Sequence, residues 1–246
     1  MLNKKDNTQE ETNIDTNYSY YKEALHDRYI AYKEKNNLND KQVILNVNIG
    51  LDTPFYTNPK LTNNLNTNYV LVNKYNYLPN YFEPDNLVIL DEYSKGNIKL
   101  VSEAYEAFKL MAKNAQEQNL NLRIVSAYRS YDYQKKLYNN YLKTDSQEVV
   151  DAYSARPGFS EHQTGLAIDI DNTLESYTNF HITQEFTWMK ENAYKYGFIL
   201  RYDLGKEHIT GYQYEPWHYR YVGTDISNYI HQAKITYEEY YYQFID

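Results

Sequence analysis

The sequence predicts an α+β fold: a small, mainly antiparallel sheet flanked by helices, with an N-terminal helical extension. Three observations predict it. "GLAIDID" (165–171) alternates Leu166, Ile168 and Ile170 with Ala167, Asp169 and Asp171, the period of a half-buried strand. "LVSEAYEAFKLMAKNAQEQN" (100–119) carries Val101, Ala104, Phe108 and Met111 on one stripe, as an amphipathic helix does. Helical patterns also precede and follow the strand patterns instead of alternating with them, so a βαβ series is not expected.

In chain order, residues 1–17 are polar and rich in Asn, Thr and Glu, the composition of a disordered tail. Tyr21, Leu25, Tyr29 and Tyr32 recur at helical spacing, which predicts one helix over 18–35. "NDKQVILNVNIG" (39–50) predicts a second, with Asn39 as N-cap, Asp40 in its first turn and Gly50 as its stop. These two form the extension, residues 18–66. Within the Pro- and Asn-rich stretch 51–98, "YVLVN" (69–73) and "LVIL" (87–90) are strand candidates. After the long helix, "LRIVSAY" (122–128) reads as a strand. "YDYQKKLYNNYLK" (131–143) and "QEVVDAYSA" (147–155) read as helices, the second closed by Pro157-Gly158. Beyond "GLAIDID", "TQEFTWMKENAYKYG" (183–197) is a helix ended by Gly197. "FILRY" (198–202) and "WHYRYVG" (217–223) are strands, and residues 225–246 give one or two closing helices.

Composition narrows the function. At 246 residues, with 42% hydrophobic and 17% aromatic content, the chain suits one well-buried domain plus an appendage. The net charge of −8 and the lack of any Lys/Arg cluster argue against nucleic acid as a partner. With no cysteine there are no disulfides, zinc–thiolate sites or Cys nucleophiles, so any metal must be held by His, Asp and Glu. No apolar run approaches the ~18 residues of a membrane span, and "MLNKKDNTQEETN" has no signal-peptide core. That start is compatible with the cytoplasm, or with an export segment that this chain lacks.

Three short stretches bear chemistry. In "FSEHQTGLAIDI" (159–170), His162 lies in the turn before a strand that contains Asp169, and Gly165 permits the bend between them. Alone, the pair is either part of a metal site or a polar turn into a strand. In "YEPWHYRYVG" (214–223), His218 alternates with Trp217 and Tyr219, and Glu215 precedes it by three residues. A neutral imidazole with a carboxylate beside it suits a metal ligand and a general base, although a packed turn reads the same way. In "SAYRSYDYQ" (126–134), Arg129 falls between a strand and a helix, where a guanidinium can hold a substrate carboxylate or an oxyanion.

Together, these stretches resemble a known family. Ser160, His162, Gly165, Ala167 and Asp169 fit Ser-x-His-x-x-Gly-x-Ala-x-Asp, the zinc motif of the peptidoglycan metallopeptidases that include VanY-type D-alanyl-D-alanine carboxypeptidases. "EPWHYRYVG" resembles their second motif and "SAYRS" their arginine motif, in the right order, and the likeness covers roughly residues 67–246. It implies that His162, Asp169 and His218 bind Zn²⁺, that Glu215 is the catalytic base and proton shuttle, and that Arg129 faces the substrate. Gln134 and Ser160 would join the substrate pocket. The implied activity removes a C-terminal D-alanine from peptidoglycan stem peptides or their precursors by D,D cleavage. L,D cleavage of tetrapeptide stems, a free D-Ala-D-Ala dipeptidase and a non-catalytic zinc-stabilised wall-binding module are the alternatives. The implied location is extracytoplasmic, at the wall or membrane. The other histidines are expected to pack or face solvent: His26 and His231 on helices, His181 opening one, with His208 a candidate for the cleft border.

Overall fold

The structure, a computed structural model, describes residues 12–172 and 176–246, so most of the polar tail lies outside the described residues. After one 3-10 turn at Glu23–Leu25 come α1 (His26–Lys35) and α2 (Asp40–Ile49). Then follow β1 (Lys60–Leu61), β2 (Asn76–Tyr77), β3 (Leu87–Ile89), β4 (Lys99–Val101), α3 (Ser102–Gln116), β5 (Arg123–Ser126), α4 (Tyr131–Tyr141), α5 (Gln147–Tyr153) and β6 (Ala167–Asp171). The chain closes with α6 (Gln184–Asn192), β7 (Phe198–Leu200), α7 (Glu207–Thr210), β8 (His218–Tyr221), α8 (Thr224–Ala233) and α9 (Tyr237–Phe244). The main sheet has the order β5-β6-β8-β7, antiparallel throughout, which is the small sheet between helices that the patterns predict.

β6 is central in that sheet. Its register sets Asp169 opposite His218 on β8 and Ser126 on β5, so the strand carrying one candidate ligand delivers it beside another. Ile168 and Ile170 point to the core beside Phe108, Met111, Ile124, Phe198 and Tyr219. The expectation of a half-buried strand is corrected here. Every residue of β6 is buried, because the 3-10 turns Glu161–Thr164 and Tyr177–Ile182 on either side of it in sequence pack against it.

Two segments depart from their periodicity. The helix expected over 18–35 begins only at His26. Tyr18, Tyr20 and Tyr21 instead wrap the cluster of Ile14, Tyr29, Val43, Ile44 and Val47. Side chains satisfy their backbone: the Tyr29 hydroxyl accepts from Lys22 N–H, and Asn48 Nδ2 donates to the Tyr20 carbonyl. "YVLVN" is not a strand either. Val70, Leu71 and Val72 are buried in extended chain whose carbonyls take Arg220 and Thr62 side chains in place of a ladder. α2 is as predicted, with a capping box between Asn39 and Gln42 and a left-handed Gly50. The helix over 183–197 passes into a 3-10 turn at Ala193–Tyr196 before Gly197, and the tail forms two helices. Ile49, Leu71 and Tyr75 pack with Val222, Ile230, Tyr237 and Tyr242, joining the extension to α8 and α9. Among the described residues no helix is long and apolar enough to cross a membrane.

Gly165 ends the 3-10 turn Glu161–Thr164 at φ 64°, a left-handed conformation. A Cβ there would lie 2.8 Å from Leu87 Cδ2 and 3.1 Å from Val101 Cγ2. We expect Gly165→Ala to lose about 1–3 kcal/mol in urea denaturation with an unchanged m-value. A variant as stable as wild type would contradict this account of the bend.

Candidate active site

The 3-10 turn before β6 presents His162, β6 presents Asp169 and the start of β8 presents His218. Their donor atoms lie within 4.8 Å of one another, and all three side chains are buried. Asp169 Oδ2 is 3.4 Å from His162 Nε2, and Asp169 Oδ1 is 3.3 Å from His218 Nδ1. The imidazole rings meet edge to face at 4.9 Å. Each ring is held from behind through its other nitrogen: His162 Nδ1 by the Ala127 carbonyl at 2.6 Å, His218 Nε2 by Glu161 Oε2 at 3.4 Å.

Glu-Pro-Trp-His is a tight turn in which His218 N–H donates to the Glu215 carbonyl. Glu215 N–H donates to the Tyr202 carbonyl, and the turn leaves Glu215 Oε2 3.6 Å from His218 Nδ1. Arg129 comes from the opposite side. Its Nη2 is 3.4 Å from Asp169 Oδ2 and its Nη1 is 3.4 Å from Gln134 Oε1, while Gln134 is anchored by donating to the Ala155 carbonyl. Ser160 lies buried in the same wall. The structure therefore gathers all seven predicted residues around one cleft of about 320 Å³, with Tyr141, Tyr153, Tyr177 and Trp217 as aromatic lining. A cavity of about 380 Å³ between α6, α8 and β7 holds none of them.

The other histidines stay outside. His26 bonds the Tyr21 hydroxyl and His231 stacks on Tyr194. His181 is exposed and sits in the last turn of a 3-10 helix rather than at a helix start. His208 is exposed on α7 and does not line the cleft. Sequence reasoning missed Glu161, which is fully buried and receives Arg201 Nε at 2.8 Å and Arg220 Nη1 at 3.0 Å. Its only signal was its place between two motif residues, and nothing periodic marks its burial.

Electrostatics separate the groups. Burial, reinforced by Arg129, pushes His162 down to about 4, so it is neutral near pH 7 with a free lone pair. Burial acts on His218 in the same direction, but the carboxylates of Asp169 and Glu161, one facing each ring nitrogen, overcome it and raise it to about 9. Asp169 is held well below the usual carboxylate range despite its burial, by His162, His218 and Arg129. Glu215 moves the other way, to about 7, through burial and the nearby Asp169 charge. One carboxylate is thus fixed as an anion while its neighbour can exchange a proton near neutrality.

The donors fit a metal ion. His162 Nε2 and Asp169 Oδ1 are buried with no hydrogen-bond partner among the described residues, although both point at the shared space. Orphaned polar atoms in such a place are costly unless something else takes them up. Two imidazoles and one carboxylate, with no thiolate, form the three-ligand set that leaves zinc an open position.

Comparison with known proteins agrees with this geometry. The family described as VanY, D-alanyl-D-alanine carboxypeptidase, matches residues 97–224, more than half of the chain and all seven of these residues. The chain belongs to that family. It is 43% identical over 179 residues to YodJ of Bacillus subtilis (strain 168), covering 70% of this chain but only 66% of YodJ. The structure of the LdcB LD-carboxypeptidase matches with a TM-score of 0.67 and 42% identity, over 70% of this chain and 85% of that one. A D,D-pentapeptidase VanY E175A mutant in complex with Zn(II) matches with a TM-score of 0.60 and 29% identity, over 70% of this chain and 98% of that one.

Glu215 also predicts a pH-dependent stability. With a native value of about 7 against an ordinary 4.5, the folded state binds more protons than the unfolded state between those limits. Its contribution therefore weakens the fold as pH rises from about 4.5 to 7 and is constant above. In metal-free protein Glu215→Gln should add stability on the order of 3 kcal/mol at pH 8 and close to none at pH 4, read by urea denaturation. An equal effect at both pH values would refute the assignment.

Proposed function

We propose that this chain is a zinc carboxypeptidase that removes the C-terminal D-alanine of peptidoglycan stem peptides. One observation carries the reading: a buried carboxylate able to exchange protons near pH 7, Glu215, stands beside a three-donor metal group with a guanidinium on its far side. A zinc-stabilised binding module would need the three donors but neither Glu215 nor Arg129.

His162, Asp169 and His218 would hold the ion. Bound there, Zn²⁺ supplies Lewis acidity toward water and toward the scissile carbonyl. Glu215 takes a proton from the attacking water and returns it to the departing amine of D-alanine. Arg129, steadied by Gln134, faces the terminal carboxylate or the oxyanion that forms as the carbonyl is attacked. Ser160 contributes to the wall, and Tyr177 and Trp217, in edge contact at 5.2 Å, narrow the mouth and limit water. We assign this unit to residues 67–246 and treat 18–66 as a helical extension braced against α9. A stem-peptide substrate places its work outside the cytoplasmic membrane.

Two bonds suit this machinery. D,D cleavage of pentapeptide stems is supported by the family's description and by the likeness to the VanY D,D-pentapeptidase. L,D cleavage of tetrapeptide stems is favoured by the higher identity, 42%, to the LdcB LD-carboxypeptidase. Incubating the zinc-loaded protein with defined penta- and tetrapeptide stems and free D-Ala-D-Ala, then weighing the products, separates the readings. We expect loss of a single D-alanine from a stem peptide, abolished by a chelator, and kcat about 10²–10⁴-fold lower in Glu215→Ala. No product from any of the three would favour the non-catalytic module, and full activity in a zinc-loaded Glu215→Ala would refute Glu215 as the base.

A further inference from the structure

Behind the cleft lies a quartet of charges that the reaction itself does not use. Glu161 and Arg220 sit next to motif residues, Arg201 follows β7 and Glu238 comes from α9, beyond the residues that the family description matches. All four side chains are wholly inaccessible to solvent. Arg201 grips Glu238 with both terminal nitrogens, at 2.9 and 2.5 Å, and turns its Nε to Glu161 Oε1 at 2.8 Å. Arg220 Nη1 reaches the same Oε1 at 3.0 Å, while its Nη2 donates to the Val70 and Asn68 carbonyls. Two carboxylates and two guanidiniums cancel, so Glu161 is kept as an anion in the interior.

The division of labour between its oxygens is the informative feature. Oε1 takes both arginines, and Oε2 is left for His218 Nε2 at 3.4 Å. An anion at that place favours a proton on Nε2 and leaves Nδ1, 3.3 Å from Asp169 Oδ1, as the nitrogen that would give its lone pair to a metal ion. His162 is set in the opposite sense, with the Ala127 carbonyl holding Nδ1 and Nε2 left free.

We propose that Glu161 is a positioning residue that fixes the tautomer and orientation of His218, and that Glu238 on the C-terminal helix braces it through Arg201. α9 is then part of the metal centre's support rather than a peripheral cover. Removing the anion would let the ring flip or rotate without touching any donor atom. The inference rests on His218 being a metal ligand, and the experiment keeps the two apart.

Zinc dissociation constants are measured by chelator competition on the full chain for wild type, Glu161→Gln, Glu238→Gln, His162→Ala and Val43→Ala. The last is a destabilising control in the N-terminal cluster. Long-range ¹H–¹⁵N spectra of the zinc-loaded wild type report which nitrogen of His218 carries the proton. We expect Glu161→Gln to weaken zinc about 10–100-fold, Glu238→Gln to weaken it less, and Val43→Ala to lose stability at unchanged affinity. At saturating zinc, kcat should fall in Glu161→Gln with KM unaltered. Wild-type His218 should carry its proton on Nε2. Zinc affinity in Glu161→Gln within twofold of wild type would overturn the proposal, as would a proton on Nδ1. If Glu161→Gln does not fold, Glu161→Asp, which keeps the charge but draws it back from Nε2, takes its place under the same twofold criterion. Loss of zinc in His162→Ala but not in Glu161→Gln defeats only this inference, whereas a wild type that binds no zinc defeats the metal-site reading as well.

Discussion

A carboxylate held as an anion on a strand with both faces covered is the constraint on which the rest of this structure depends. Asp169 cannot be buried without compensation, because an unpaired interior charge costs several kcal/mol. Two imidazoles and the Arg129 guanidinium surround it, each from a different element. That requirement makes β6 a central strand, with His218 delivered in register from β8 and His162 from the turn that Gly165 closes. The opposite face of the same strand is wholly apolar, so Ile168 and Ile170 anchor to the core what the polar face must hold still.

The surrounding charges follow from the first. A second carboxylate, Glu161, is buried behind His218, with its Oε2 3.4 Å from Nε2. Glu161 then needs Arg201 and Arg220, and Arg201 needs Glu238. The chain ends with a helix whose place is tied to the site three residues away in this relay. Glu215 stands apart in receiving no guanidinium of its own that outweighs its burial, and this leaves its proton exchangeable. The site thus spends stability at the residue that needs reactivity and recovers it at those that need fixity.

Much of this was legible in the sequence because the informative residues are local. The alternation of "GLAIDID", the turn glycine and the three-residue interval between Glu215 and His218 each fit inside one element. So do Asn39 and Gly50, which start and stop α2 as their chemistry dictates. What stayed hidden depends on distant partners. Arg201, Arg220 and Glu238 lie 40, 59 and 77 positions from Glu161 by their residue numbers, and no period links them. Tyr18–Lys22 carry a helical spacing, yet Tyr29 and Asn48 give their backbone another set of partners. Val70–Val72 have strand composition, but Arg220 and Thr62 occupy the carbonyls that a ladder would need. The full burial of β6 was hidden because period-two alternation cannot show that the flanking 3-10 turns, Glu161–Thr164 and Tyr177–Ile182, fold back onto the strand.

The central claim is that His162, Asp169 and His218 form one metal centre, and zinc stoichiometry tests it most directly. Protein stripped with a chelator, reloaded with excess zinc and desalted is analysed for metal by elemental mass spectrometry, as wild type and as Asp169→Asn. The account predicts one zinc ion per wild-type chain and essentially none retained by a folded Asp169→Asn. A folded Asp169→Asn protein that keeps a full equivalent, or a wild type that keeps none, would contradict it.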